Sequence, residues 1–210
     1  MRGRHTGLVE VSQEIIMKKA GLFFGTFNPI HVGHLVIASY MAEFTDLDEV
    51  WFVVTPRSPF KAKKSLLDNH HRYQLVYEAV KDYHNLRVSD IEFKQTPPNY
   101  TVNTLVQLEE KFGNDYRFAL LMGEDNLASF HKWKNYEVIL EHYEIYVYPR
   151  ITKVDIPQSF QAHQSIRQVE APIMEISSTF IRKQHKAGKN IRAMLPDAVW
   201  KYMDEMNFYR

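Results

Sequence analysis

Short apolar runs separated by segments of helical periodicity are the feature that most restricts the fold of this chain. Each run is bounded by Gly, Pro, Asn or Asp and has the length of a buried strand; the runs are 22–24, 50–54, 86–88, 118–122 and 145–148. Apolar residues recur at three- and four-residue steps between them, as in amphipathic helices, over 33–43, 70–83 and 102–112. Strands that are apolar at successive positions and alternate with helices predict a doubly wound α/β fold, in which a parallel sheet is covered on both faces.

The remaining segments extend this domain rather than divide it. Residues 177–210 have no strand pattern and are typical of two helices, the second starting near Pro196. No repeat and no linker rich in Gly or Ser interrupts the chain. We therefore predict one domain over 17–210, a Rossmann-like parallel sheet flanked by helices with a small C-terminal helical segment. Residues 1–16 differ in character and are interpreted as an N-terminal extension or an alternative translation start.

The composition excludes several classes of protein. With 26 Lys+Arg against 25 Asp+Glu, the net charge is +1, so no global field attracts nucleic acid or an anionic membrane, and phosphate must be bound locally. The chain has no cysteine, which excludes disulfides, thiolate nucleophiles and cysteine-ligated zinc. No apolar run approaches the roughly 18 to 20 residues of a membrane span, and the first residues lack the apolar core of a signal peptide. These observations predict a cytoplasmic protein with no nucleic-acid or membrane partner.

The clearest candidate site follows the first predicted strand, where residues 25–34 read GTFNPIHVGH. Ligands of doubly wound sheets bind beyond the carboxyl ends of strands, and the helix start offers N–H groups and a positive dipole end to a phosphate. Gly25 permits a sharp turn close to a ligand, and Gly33 leaves room at the helix start. If the turn is already helical, His31 and His34 project from the same side and can donate to phosphoryl oxygens. An isolated histidine would more often be a surface or capping residue.

A second motif, ISSTFIR, lies at residues 176–182. Ser177 or Ser178 can cap a helix, which leaves further hydroxyl and N–H donors at the first turn. Arg182, one turn later, adds a permanent cation whose fork fits phosphate oxygens. Alone, this motif would be better explained as an N-capped amphipathic helix with a solvated arginine.

Together the two motifs resemble the GxFxPxHxGH and ISSTxIR signatures of the nucleotidylyltransferase superfamily. Three further segments resemble the bacterial nicotinate-nucleotide adenylyltransferase family, and this likeness covers nearly all of 18–210; they are PNYTVNTL at 98–105, MGEDNL at 122–127 and HKW at 131–133. The resemblance implies transfer of the adenylyl group of ATP to nicotinate mononucleotide, giving nicotinate adenine dinucleotide and pyrophosphate in NAD synthesis. It implies direct in-line attack of the acceptor phosphate on the α-phosphorus, without a covalent enzyme intermediate.

The resemblance also implies which residues serve which substrate. His31, His34 and Arg182 are the expected catalytic residues. The expected ATP-binding residues come from both motifs and from the MGEDNL segment: Gly25, Thr26, Phe27, Gly33, His34, Gly123, Asp125, Ser177, Ser178, Thr179 and Arg182. Directly after a strand, the carboxylate of Asp125 can accept hydrogen bonds from ribose hydroxyls. Mg²⁺ is expected to arrive on the ATP phosphates, with no metal site built from protein ligands.

The expected acceptor-binding residues are Tyr100, Thr101, Trp133 and Lys61. Thr101 is a good N-cap, so the N–H groups after it can receive the nicotinate carboxylate, whereas an amide would gain less. Trp133 can stack on the electron-poor pyridine ring, although Trp is more often simply buried. A plain capped helix with Tyr100 in the core is the alternative for the first segment, and a solvated basic loop is the alternative for Lys61.

Two positions depart from the family pattern. Phe60 stands where the family usually has a histidine before the basic residue, and Glu124 stands where it often has a small residue. The HHR sequence at 70–72 resembles a family helix start, and we interpret Arg72 as structural. Adjacent histidines on a helix point apart, so no metal site is expected there.

The alternative functions are a nicotinamide-mononucleotide or dual-specificity adenylyltransferase and, behind it, a phosphopantetheine adenylyltransferase. A non-catalytic nucleotide-binding sensor or a tRNA-binding relative of the class I aminoacyl-tRNA synthetases is the alternative from another class. Balanced charge and the absence of a KMSKS-like lysine loop argue against tRNA. Retention of both motif histidines and of Arg182 argues against a sensor that has lost turnover. The sequence leaves oligomerisation open, including a homo-oligomer.

Overall fold

A computed structural model describes residues 17–56 and 66–210, and its centre is one parallel sheet. The strands are β1 Lys18–Gly25, β2 Glu49–Val54, β3 Leu86–Ser89, β4 Tyr116–Gly123, β5 Glu144–Tyr148 and β6 Ile166–Gln168. Their order in the sheet is β3-β2-β1-β4-β5-β6, and every neighbouring pair is parallel. The predicted doubly wound, Rossmann-like sheet is confirmed, and its winding reverses between β1 and β4.

Helices cover both faces of this sheet. Those formed by the described residues are α1 Val32–Phe44, α2 Asn69–Val80, α3 Thr101–Phe112, α4 Glu124–Ala128, α5 Tyr136–His142, α6 Gln158–Gln161, α7 Ser178–Lys186 and α8 Asp197–Glu205. The three predicted helices and the two C-terminal ones are present, although α2 ends three residues earlier than predicted. Within these residues, no helix is long and apolar enough to cross a bilayer.

Burial on both faces explains why the strands are apolar at successive positions. In β2, Phe52 and Val54 belong to a core beneath α1, α2 and α8, whereas Trp51 and Val53 belong to a core beneath α3 and α5. Strand β6 was not predicted, because its three residues are half-buried or exposed and carry no apolar run.

Arg72 lies in the interior and fixes the segments that surround the end of β1. It is 0% exposed, and its guanidinium donates to four backbone carbonyls: Leu67 at 3.0 Å, Thr26 at 2.7 Å, Thr55 at 2.8 Å and Pro56 at 2.9 Å. Burial lowers its pKa to about 10, so it stays charged at neutral pH. The structural role expected for Arg72 agrees with this geometry.

The substitution Arg72→Met is expected to destabilise the fold strongly. Methionine fills much of the same space but leaves those carbonyls without their donor, so we expect the free energy of unfolding to fall by about 3 kcal/mol or more. Urea denaturation followed by circular dichroism measures the change. Arg117→Met is the control, because Arg117 is exposed on β4 and should change the free energy by less than about 0.5 kcal/mol. Equal, small effects in both variants would contradict the assignment.

Candidate active site

Two adjoining pockets open at the carboxyl edge of the sheet, where the winding reverses. One encloses about 870 Å³ and contains His31, His34 and Arg182; we call it the histidine pocket. The other encloses about 700 Å³ and contains Tyr100 and Trp133; we call it the aromatic pocket. They share a wall from the ends of β1 and β4 and the start of α4: Phe24, Gly25, Thr26, Leu121, Met122 and Asn126. The two pockets therefore form one continuous cleft.

The two motif histidines lie side by side. His31 is the N-cap residue of α1, with extended backbone, and His34 lies in the first turn. Their rings stack with centroids 3.7 Å apart, and the His31 backbone N–H donates to His34 Nδ1 at 3.2 Å. Because His34 Nδ1 accepts this bond, a neutral His34 carries its proton on Nε2 and keeps that nitrogen as a donor. The two imidazoles share one side, although His31 precedes the helix rather than lying in its first turn.

Burial decides the charge of His31. His31 is only 4% exposed. Desolvation, together with the positive charge of the nearby Arg150 guanidinium, lowers the pKa of the imidazole to about 4. His31 is therefore neutral at pH 7 and can act as a hydrogen-bond donor rather than a cation.

Sequence reasoning missed Arg150, which places a cation in the histidine pocket. It follows β5, and its Nε donates to Asp125 Oδ1 at 3.1 Å, while its backbone N–H donates to Glu124 Oε2 at 2.9 Å. The guanidinium carbon lies 5.1 Å from the Tyr148 ring centroid. Glu124 thus anchors the segment after β5. The signal available in the sequence was a charged residue two positions after an apolar strand.

Two of the predicted glycines make room for neighbouring side chains. A Cβ at Gly123 would lie 2.5 Å from Asp125 Oδ1 and 2.8 Å from Arg150 Nε, so glycine allows that ion pair to form. Gly123 itself does not line either pocket. A Cβ at Gly25 would lie 2.8 Å from the ring of Phe27, which is 3% exposed and packs edge-on against His34. Phe27 therefore supports the histidine pair from below.

The second motif contacts the loop that carries the first, through hydrogen bonds from Ser178 and Arg182. Ser177 caps α7 by accepting from the Phe180 N–H at 3.2 Å. Ser178 Oγ donates to the Pro29 carbonyl at 2.8 Å, and Arg182 Nη1 donates to the Asn28 carbonyl at 2.6 Å. Arg182 also donates to the Thr179 hydroxyl at 3.3 Å, and both residues line the histidine pocket. Arg182 thus joins the motifs besides facing the pocket.

The aromatic pocket brings together three of the four predicted acceptor residues. Tyr100, Thr101 and Trp133 all line it, and Trp133 is half-buried with its ring centroid 5.3 Å from that of Phe130. Lys134 Nζ lies 4.4 Å above the Tyr100 ring. Lys61 and Phe60 lie outside the described residues, as do residues 1–16.

The prediction that Thr101 is the N-cap of its helix is wrong. Tyr100 occupies that position with extended backbone, and Thr101 is the first helical residue. Helix α3 starts one residue earlier than predicted because Asn99 anchors the chain before it. The Asn99 side chain donates to the Glu92 carbonyl at 3.0 Å and to Gln95 Oε1 at 3.1 Å. The first N–H groups of α3 still point out of the helix start, where no intrahelical acceptor is available.

A buried acid, Glu92, also lines the aromatic pocket and was not predicted. It is 2% exposed, and Thr104 donates to its Oε1 at 2.8 Å. Burial raises the pKa of this carboxyl despite the hydroxyl contacts from Thr104 and Thr55. Among the described residues, no three His, Asp or Glu side chains are grouped to hold a metal ion.

The sequence of this chain is similar to those of several known proteins. A family profile described as cytidylyltransferase-like matches residues 22–184. The "Probable nicotinate-nucleotide adenylyltransferase" of Christiangramia forsetii is 61% identical over 194 residues, covering 92% of this chain and 99% of that protein. A protein with the same name from Flavobacterium psychrophilum is 59% identical over 192 residues, covering 91% and 99%.

Among solved structures, the fold is similar to a Plasmodium falciparum nicotinic acid mononucleotide adenylyltransferase complexed with NaAD. The TM-score is 0.74 at 19% sequence identity, and the match covers 91% of this chain and 97% of that one. At this identity the likeness shows the fold alone.

Titration of His31 tests the electrostatics of the cleft. The pKa of His31 is near 6.5 in the unfolded state and about 4 in the folded state. As the pH falls from 6.5 towards 4, the unfolded state therefore binds a proton before the folded state does, and the free energy of unfolding decreases. NMR of the imidazole should show His31 neutral at pH 6, and Arg150→Met should raise its pKa. The control Arg167→Met, at the amino end of the sheet, should leave it unchanged. A His31 pKa near 6.5 would refute this account.

Proposed function

We propose that this chain, which belongs to the nicotinate-nucleotide adenylyltransferase family of cytidylyltransferase-like proteins, transfers the adenylyl group of ATP to nicotinate mononucleotide. The products are nicotinate adenine dinucleotide and pyrophosphate, a step of NAD biosynthesis. The observation that carries the proposal is the continuous cleft, in which a phosphate-binding half and a ring-binding half meet at the ends of β1 and β4.

The histidine pocket is assigned to ATP. Its donors are the imidazoles, the first turns of α1 and α7, and the guanidinium groups of Arg150 and Arg182. Helix N-termini and arginines both favour phosphate oxygens. Asp125, at the rim of the same pocket, offers a carboxylate to the ribose hydroxyls, as acidic residues do in other doubly wound nucleotide sites. These contacts supply positive potential locally in a chain whose net charge is only +1.

The aromatic pocket is assigned to the mononucleotide. Trp133 offers a flat, half-buried indole to the pyridine ring, which is electron-poor and cationic. The N–H groups at the start of α3 bind a carboxylate more strongly than an amide, because they are hydrogen-bond donors at the positive end of the helix dipole. Burial raises the pKa of Glu92, which weakens the tendency of this carboxyl to carry a repulsive negative charge in the same pocket.

The reaction needs positioning and charge neutralisation rather than a protein nucleophile. An oxygen of the acceptor phosphate, already anionic at pH 7, attacks the α-phosphorus; a new P–O bond forms as the bond to the bridging oxygen breaks, and pyrophosphate leaves with that electron pair. His34 and the neutral His31 donate hydrogen bonds to phosphoryl oxygens as charge builds on them. Arg182 and Arg150 stabilise the leaving pyrophosphate.

Mg²⁺ is proposed to enter on the ATP phosphates. The acidic group at the histidine pocket, Asp125, is engaged by Arg150 at 3.1 Å, so the donor set suits an ion that keeps its water and phosphate ligands. When bound, the ion supplies further neutralisation of phosphate charge.

Pyrophosphate release tests the function directly. With ATP and nicotinate mononucleotide the chain is expected to release pyrophosphate, and His34→Ala is expected to lower kcat by about 10²- to 10³-fold, because a donor to the transition-state charge is lost. His142→Ala is the matched control, since His142 is exposed at the end of α5. Near-normal turnover of His34→Ala at saturating ATP would contradict its role. If neither the acid nor the amide mononucleotide gives pyrophosphate release, the proposed function is contradicted and a nucleotide-binding sensor is favoured.

Acceptor choice is tested by replacing the acid with the amide. Nicotinate mononucleotide should be used with the higher kcat/KM, because the helix start gains more from a carboxylate than from an amide. Equal values for the two acceptors would overturn the assignment of α3 to the carboxylate and favour a dual-specificity enzyme.

Trp133→Ala separates the two pockets. Loss of the stacking surface is expected to raise the KM for the mononucleotide about tenfold while changing the KM for ATP less than about twofold. Trp133→Phe keeps an aromatic face and should recover most of the affinity. Steady-state kinetics with each substrate varied in turn gives both values, and a rise confined to the KM for ATP would reverse the assignment.

A further inference from the structure

Four side chains from distant parts of the sequence hold the loop that carries the motif histidines. Arg72 bonds the Thr26 carbonyl, Ser178 the Pro29 carbonyl and Arg182 the Asn28 carbonyl. The fourth, Tyr209, is the only one of these that bonds a side chain of the loop: its hydroxyl donates to Asn28 Oδ1 at 2.6 Å. The first three fix the backbone of the loop, so the orientation of the Asn28 amide depends on other contacts.

The Asn28 side chain is a buried junction. Asn28 is 4% exposed, and its Oδ1 also accepts the backbone N–H of Leu67, which leads into α2, at 3.2 Å. The same amide oxygen therefore links the histidine loop to the entry of α2 and to the segment after α8. His31 follows Asn28 by three residues, so a shift at this junction is transmitted to the histidines over a short stretch of chain.

The backbone after α8 adopts an unusual shape that brings Tyr209 to this junction. Asn207 and Tyr209 have φ values of 55° and 63°, a left-handed conformation that non-glycine residues rarely adopt. Such a conformation persists where surrounding contacts fix it. Phe208, 8% exposed, supplies one of them by packing against His71 with ring centroids 4.8 Å apart.

The Tyr209 hydroxyl acts as a donor. Burial raises the pKa of this phenol, while the positive charges of Arg182 and Arg72 act in the opposite direction. The phenol therefore keeps its proton at neutral pH and donates it to the amide oxygen rather than forming an ion pair with either arginine.

We propose that Tyr209 is a positioning residue for adenylyl transfer: through Asn28 its hydroxyl sets the orientation of the loop that presents His31 and His34 to the phosphates. This inference rests on the function proposed above. Tyr209 itself is not among the residues that line either pocket, so its effect reaches the substrate through the loop. Because in-line transfer depends on alignment, a small displacement of the donors lowers the rate of the chemical step more than it weakens nucleotide binding.

Tyr209→Phe tests the proposal by removing one oxygen atom and keeping the ring. We expect kcat for pyrophosphate release to fall about tenfold, with the KM values for ATP and the mononucleotide changed less than about twofold. Tyr202→Phe is the matched control. Tyr202 is also a partly buried tyrosine of the C-terminal segment, but its hydroxyl is hydrogen-bonded to His71 Nδ1 at 2.9 Å rather than to the histidine loop. Its kcat should stay within about twofold of the unsubstituted chain.

Thermal unfolding of both variants separates positioning from stability. Similar, small losses of melting temperature in the two variants, with loss of kcat only in Tyr209→Phe, support the positioning role. The proposal is overturned if Tyr209→Phe keeps its kcat, if Tyr202→Phe loses as much, or if the loss appears only in KM. Failure of the proposed function gives a different result, since the unsubstituted chain would then release no pyrophosphate.

Discussion

The reversal of winding between β1 and β4 is the constraint on which the rest of the site depends. The connections leaving these two neighbouring strands turn to opposite faces of the sheet, so their loops diverge and leave a crevice that none of the helices α1 to α8 fills. Gly25 ends one strand and lines both pockets, and Gly123 ends the other strand. With a different strand order, the motif histidines and the aromatic residues before α3 and after β4 would not face a common space.

Within this crevice, burial keeps the motif histidine His31 neutral, and arginines supply the positive charge. The interior position of His31 lowers its pKa to about 4, so it stays uncharged where a cation would be costly. Positive charge comes instead from arginines whose guanidinium groups already have partners: Arg150 with Asp125, and Arg182 with the Asn28 carbonyl. A chain with net charge +1 can therefore offer a strong local field to phosphate without attracting extended polyanions.

The loop between β1 and α1 is determined by contacts from outside its own sequence. Arg72 from α2, Ser178 and Arg182 from α7, and Tyr209 from the segment after α8 each supply one or more hydrogen bonds to it. A loop held at several points can keep its donors aligned without being rigid in itself, and preorganisation of this kind is what transfer between phosphates requires. The C-terminal helices are thus part of the support of the site as well as of the core.

Much of this protein could be predicted from sequence, because the relevant signals are local. Consecutive apolar residues identified five strands, helical periodicity identified the principal helices, and the residues of both motifs lie in one pocket. Strand β6 was not predicted, because a three-residue strand at the edge of a sheet needs no apolar run. The N-cap of α3 was placed one residue too late, because the hydrogen bonds of Asn99 to Glu92 and Gln95 could not be seen in the sequence.

The sequence by itself determined the class of fold and the chemistry available at the end of β1. Only the tertiary structure decided that Arg150 and Glu92 enter the cleft, that His31 is neutral and that Tyr209 reaches Asn28. Those outcomes depend on burial and on contacts between residues far apart in the chain, which no local pattern records.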